Sequence, residues 1–336
     1  MKKLLVIMLV LACTFSAVFA NAETEKKADD GKYPADKLTY IVAAQAGGGL
    51  DVVSRCFTPQ WENELGTKFE YVYENTGNTY LMVMNDLNAL DSDEFGVVCG
   101  MPEAMLGMFQ FQDSTYSVND IAWIGNVYSD ANALIVRADE TRFNTAEELI
   151  AYARQNRITI STPQALTSAN ITARVFVDAS KINATVVPYN GGAGARNDLL
   201  GGHVDVSVGG LSTVVKSPDQ FKVIGIFGNT SPVKDVWPNA QTVPEFAKDF
   251  SMPDLVAHCS IWTSKKIAEK HPEVYKMLVE TFKTAFNSSE SAAAFVTAKQ
   301  DRFIDYIEAD ATLASAIGFV DTLKKYTDLL DPAKNN

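Results

Sequence analysis

Leu38-Thr39-Tyr40-Ile41-Val42-Ala43 runs almost directly into Gln45-Ala46-Gly47-Gly48-Gly49-Leu50-Asp51. The first stretch is β-branched and aromatic, a composition that suits a pleated, half-buried strand. Past the glycines, Val52, Val53, Cys56, Phe57, Trp61 and Leu65 recur at helical spacing, and Gly66 follows. The order is strand, glycine loop, amphipathic helix and glycine stop. Pro59 interrupts the helical pattern and predicts a kink or a division into two short helices. Residues 69–73 and 95–99 read as the next strands. Strands alternating with helix-length segments argue an α/β fold with a doubly wound, mostly parallel sheet.

The pattern then starts again. Strands are expected at 133–136, 158–161, 185–187, 204–208, 222–227 and 255–262, with helices at 145–154, 169–179 and 193–200. Thr145, with Glu148 three residues on, predicts a capping box. Residues 267–330 read as a mostly helical C-terminal tail. Two α/β units predict two lobes, 33–131 with 250–336 as lobe I and 132–249 as lobe II. The crossings between them fall near 129–133 and 230–253.

Lys2 and Lys3 precede an apolar run, and small residues follow at Ala17, Ala20 and Ala22. That is a secretory signal over residues 1–22, its apolar run too short to cross a bilayer, with cleavage expected before Glu23. Two alternatives stay open: lipidation at Cys13 within Val10-Leu11-Ala12-Cys13, and an uncleaved anchor. Residues 23–32 are charged and read as a disordered linker. Without the signal the chain has 27 basic and 41 acidic residues, a net charge of −14. Such a surface disfavours nucleic acid and anionic lipid. An anionic ligand must therefore be held by local donors, against the mean field. Cys56, Cys99 and Cys259 lack the close spacing of a metal knuckle or redox pair. If any disulfide forms, strand neighbours Cys99 and Cys259 are the expected pair.

Three loops follow a strand and open a helix: Ala46-Gly47-Gly48-Gly49 with Asp51, Ser161-Thr162 through Thr167-Ser168, and Tyr189-Asn190-Gly191-Gly192-Ala193. Free N–H groups at a helix start make an anion site without a charged side chain. In open α/β sheets ligands lie beyond the carboxyl ends of strands, where these loops fall. Asp51 has two readings, a helix cap or a ligand acceptor. Arg196 reads either as the partner of a distal ligand carboxylate or as part of a solvated helix face. A bulky residue at Gly48 is expected to block the ligand and spare the fold. Nucleotide loops, a nucleophile elbow and H-E-x-x-H are missing, and the histidines are only His203, His258 and His271. No catalytic residue, metal ligand or cofactor is assigned, and the chain is read as a non-enzyme.

Ala46-Gly47-Gly48-Gly49-Leu50-Asp51-Val52-Val53-Ser54-Arg55 after Tyr33-Pro34 and a strand, Glu74-Asn75-Thr76-Gly77-Asn78, and Val187-Pro188-Tyr189-Asn190-Gly191-Gly192 followed by Asp198-Leu199-Leu200-Gly201-Gly202-His203-Val204-Asp205 occur in that order. Together they resemble the substrate-binding receptors of tripartite tricarboxylate transporters, the Bug proteins. The resemblance implies two lobes of the type II periplasmic-binding-protein kind, closing over a small carboxylate held by backbone amides and hydroxyls. It implies a periplasmic receptor, expected to be a monomer, that serves membrane transporter subunits. Departures are Ala46 where the family has proline, a shortened loop at Asn75, and a second-lobe loop without glycine, where Thr167 and Ser168 are the expected donors. A sensing subunit that presents its closed form to a membrane signalling protein is the alternative with the same features.

Overall fold

The computed structural model describes residues 37–76, 78–90 and 95–331. The expected signal and linker, the Tyr33-Pro34 pair and Gly77 lie outside them. One set of strands is β1 (Lys37–Val42), β2 (Lys68–Tyr73), β3 (Gly96–Gly100), β4 (Ile121–Asp130), β11 (Ala257–Ser264) and β12 (Ile304–Glu308). The other is β5 (Asn132–Arg137), β6 (Ile158–Thr162), β7 (Ala184–Pro188), β8 (Val206–Gly210), β9 (Phe221–Ile226) and β10 (Gln241–Thr242). They form two six-stranded sheets, ordered β12-β4-β11-β3-β1-β2 and β10-β9-β5-β8-β6-β7.

Both sheets are mixed, and the second is mostly parallel: β10 pairs parallel with β9, and only β5 runs against the other five strands. Strands β2, β1 and β3 run parallel, as do β7, β6 and β8. Every pairing among β3, β11, β4 and β12 is antiparallel, and β5 is antiparallel to both its neighbours. The parallel halves are the strand–loop–helix units legible in the sequence. The antiparallel halves hold the strands by which the chain leaves and re-enters each lobe: β4 passes into β5 across Ala131, and β11 returns. Strand β12 interrupts the tail that reads as helical.

The helix Gly49–Leu65 runs unbroken through Pro59 instead of dividing. Proline removes one bond, to the Arg55 carbonyl, and Arg55 and Pro59 lie on the exposed face, open to solvent. Phe57, Trp61 and Leu65 bury the opposite face, and Gly66 ends the helix in left-handed backbone. Thr145 Oγ1 accepts from the Glu148 N–H (3.2 Å). The returning bond goes one residue further out than in a capping box, from the Asn144 N–H to Glu148 (2.6 Å).

The helix Ser168–Ser180 of the second sheet joins the lobes. Its Ile171 and Val175 lie in the apolar cluster of Met105, Trp123 and Trp262 from the first. Beneath β3 and β11, the buried Cys99 and Cys259 thiols face each other with sulfurs 3.5 Å apart. Mild oxidation of the folded protein is expected to couple this pair and leave Cys56 free. Peptide mapping that finds Cys56 in a disulfide rejects the expectation.

Asp130 ends β4 at the crossing and is buried. Its carboxylate accepts from the Ser212 N–H (3.2 Å) and hydroxyl (2.6 Å). Burial dominates these bonds and pushes its pKa up from 3.8 to about 6. A pKa raised on folding contributes stability that is complete below the unfolded value and is lost as pH rises through the folded one. The Asp130→Asn variant should therefore gain on the wild type in melting temperature between pH 4 and pH 7. A pH-independent difference between the two would refute this.

Candidate ligand cleft

A cavity of about 540 Å³ lies between the sheets. Its walls come from the carboxyl ends of the parallel strands. Ala43 follows β1, Asn75 and Thr76 follow β2, and Met101 follows β3; Gln164 to Thr167 follow β6, and Tyr189 and Asn190 follow β7. Four helices begin at this lining: Thr79–Ala89, Pro102–Phe111, Ser168–Ser180 and Gly192–Leu200. Amides, hydroxyls and apolar groups line the cavity, and among the described residues no Lys, Arg, His, Asp or Glu does.

Short-range bonds hold each start in place. Thr79 Oγ1 accepts from the Thr76 N–H (2.9 Å) and donates to the Thr76 carbonyl (2.6 Å). The buried Tyr80 hydroxyl accepts from the Met101 N–H (2.8 Å), joining two of the helix starts. Burial raises the tyrosine's pKa, so the phenol stays protonated. Behind Met101, Glu103 accepts from the His258 N–H (3.1 Å) and pairs with its Nδ1 (2.7 Å), docking the helix Pro102–Phe111 on β11. Burial acts to lower the His258 pKa, but Glu103 outweighs it and the net shift is upward. The Tyr189 hydroxyl donates to Asp198 (2.5 Å) and ties the third loop to its helix. Gly191 has φ +139°, a backbone conformation that side chains rarely tolerate.

Asn75, Thr167 and Tyr189 line the cavity. The other expected site residues stand elsewhere. The Asp51 carboxylate takes the cap reading: it accepts from the Gly47 N–H (2.7 Å) and the Tyr73 hydroxyl (3.1 Å), and pairs with Arg55 (2.8 Å). Ala46, Gly47, Gly48 and Gly49 form that same turn, beyond Ala43. Ser161 donates inward to the Ala195 carbonyl (3.0 Å), and Thr162 to the Pro163 carbonyl (2.9 Å). Ser168 donates to the Leu255 carbonyl (3.0 Å) and accepts from Asn132 (2.8 Å), so its hydroxyl is engaged at the joint between lobes. Thr167 caps its helix and donates to the Gln164 carbonyl (2.7 Å). Gly191, Gly192 and Ala193 begin the helix next to Asn190.

The sequence reading missed the wall formed by Thr79, Tyr80, Met101, Ala104, Met108 and Gln112. One available signal was Pro102, the first residue of a helix that directly follows β3. Gly48 is also a poor probe of ligand binding. A Cβ there would stand 2.9 Å from the Gln45 carbonyl oxygen, so a side chain displaces the loop itself.

The family model described as "Tripartite tricarboxylate transporter family receptor" matches residues 72–329. The chain belongs to this family. A curated relative of the receptor, from the TAR-I ttuE-ttuC' intergenic region of Agrobacterium vitis, is 26% identical over 259 residues, covering 75% of this chain and 72% of the relative. A solved TctC solute-binding protein from Polaromonas aligns with TM-score 0.72 at 20% identity, covering 88% of this chain and 99% of its own. The MatC protein from Rhodopseudomonas palustris, solved with bound malate, aligns with TM-score 0.64 at 16% identity, covering 89% and 100%. The receptor shares their two-lobed α/β fold.

The lobes of the receptor touch at the back of the cleft. A Cβ on Gly107 would lie 3.0 Å from the Leu166 carbonyl oxygen, and Leu166 is held at φ +63°. Gly107→Ala must push the two backbones apart and should lower unfolding stability by roughly 1–3 kcal/mol. At Gly49 an added Cβ meets nothing within 4 Å, so Gly49→Ala should change it by about 0.5 kcal/mol or less. Equal effects of the two variants in urea unfolding would contradict the close approach.

Proposed function

We propose that the receptor captures a small carboxylate in this cleft and delivers it to the membrane subunits of a tripartite tricarboxylate-type transporter, with no chemistry on the ligand. The observation that carries the reading is the meeting of four helix starts at a cavity without charged side chains. First-turn N–H groups have no intrahelical acceptor and lie at the positive end of the helix dipole. They favour an anion even in a chain with net charge −12. The malate of MatC, and the adipate bound by another R. palustris protein of the same fold, support a carboxylate. Asn75, Thr167, Gln112 and Tyr189 would orient the rest of the molecule. The backbone of 46–49 and 191–193 would reach it as the lobes close about the crossings expected from sequence, near 129–133 and 230–253. Residues 1–22 would direct export to the periplasm. Among the described residues no helix is long and apolar enough to cross a membrane.

A thermal-shift screen of small mono-, di- and tricarboxylates tests the reading. A ligand at 100 times its Kd should add about 2.7 kcal/mol of stability, and small-angle scattering should show a smaller radius of gyration. A panel in which no carboxylate raises the melting temperature overturns the proposal.

A further inference from the structure

Arg196 stands apart from the other arginines among the described residues. Arg55, Arg137, Arg142, Arg154 and Arg302 each pair with a carboxylate. Arg157 donates to the Thr185 hydroxyl and Arg174 to Asn170. Arg196 makes neither an ion pair nor a hydrogen bond with any described residue. It is nevertheless half-buried, and burial lowers its pKa from the ordinary guanidinium value with no carboxylate to offset it. Asp198, two residues on, is engaged by the Tyr189 hydroxyl instead. Leaving a partly desolvated cation unpaired is unfavourable, and this chain has acidic residues in excess.

Its position gives the unpaired charge a use. A Cβ on Gly192 would lie 3.0 Å from Arg196 Nη1, and Pro163 Cγ is 3.8 Å from the same point. The missing side chain at Gly192 leaves the guanidinium its seat. That seat lies between the two second-lobe loops whose next residues, Gln164 and Asn190, line the cleft. A planar guanidinium there matches a carboxylate with two parallel bonds. The helix starts can hold one carboxylate, and among the described residues Arg196 is the one cation beside these loops with no protein partner.

We infer that Arg196 is the specificity-determining residue of the cleft, pairing with a second carboxylate on the ligand so that the receptor prefers dianions to monoanions of equal length. This rests on the carboxylate reading above. Isothermal titration of the mature chain with straight-chain α,ω-dicarboxylates of four to seven carbons, and with the matching monocarboxylates, tests it. The wild type should bind its best dicarboxylate about ten-fold or more tighter than the matched monocarboxylate, the scale of a charge-assisted hydrogen bond. Arg196→Gln should erase most of that ratio while leaving monocarboxylate affinity unchanged. Arg196→Lys, which keeps the charge but not the fork, should retain part of it. Arg157→Gln, the same charge loss beside the amino end of β6 and away from the cleft, should retain all of it. If no carboxylate binds the wild type, the carboxylate reading falls and this inference with it. If carboxylates bind without a preference for dianions, or Arg196→Gln keeps the preference, or Arg157→Gln loses it, the role of Arg196 is wrong and the carboxylate reading stands.

Discussion

The burial of one helix from the second lobe in the core of the first fixes much else in the receptor. Ile171 and Val175 pack with Trp262 and Met105, although their helix starts at the carboxyl end of β6 in the other sheet. Polar bonds seal the same joint: Ser168 and Asn132 both donate to the Leu255 carbonyl. Apolar burial supplies the attraction, and the hydrogen bonds fix its position, since a buried donor left unpaired is costly. The loop 164–167 is thereby held against the helix Pro102–Phe111 closely enough that a Cβ at position 107 would stand 3.0 Å from the Leu166 carbonyl oxygen. The back wall of the cleft follows from this packing.

The polar groups near the cleft divide by what they already bond. Asp51, Ser161, Thr162 and Ser168 have protein partners and serve to shape loops. Thr79 and Leu81 donate to the Thr76 and Asn78 carbonyls and Asn170 to Thr167 Oγ1; the remaining first-turn amides at these helix starts, and the guanidinium of Arg196, have no partner among the described residues. A ligand is thus offered donors and almost no acceptors apart from side-chain amides and hydroxyls, which is the chemical reason to think of an anion. Residue type does not mark the lining, because Thr79 and Thr167 line the cavity while bonding within the protein, as Ser161 and Thr162 do away from it.

Local signals made the parallel halves legible. β1 is β-branched and aromatic before its glycines, Thr145 caps with Glu148 nearby, and Gly66 stops a helix whose apolar face is regular. The antiparallel halves carry weaker signals. β4 is buried on both faces for most of its length, so Ile121 to Val127 shows no alternation. β12 is five residues long and lies between helices. At the site, Tyr189 was legible from its glycine loop and Asn75 and Thr167 from the resemblance, and all three line the cavity. Ser168 looked equally available in sequence, and only the approach of Leu255, 87 residues away, shows that its hydroxyl is engaged. Met101, Met108 and Gln112 face the cleft because of how the helix Pro102–Phe111 packs, which no local pattern encodes.

A site assembled from main-chain amides has a consequence for inheritance. Every amino acid except proline brings the same N–H to a helix start, so substitutions that preserve the turn preserve the donor. On the proposed reading, relatives can diverge widely in side chains while such a frame persists, and the few positions that add side-chain chemistry are free to vary the cargo. A shared fold at 16% or 20% identity is what such a division permits. In lineages that change ligand, the substitutions that matter should collect beside the helix starts, where a single side chain such as that of Arg196 is placed on a frame that need not change.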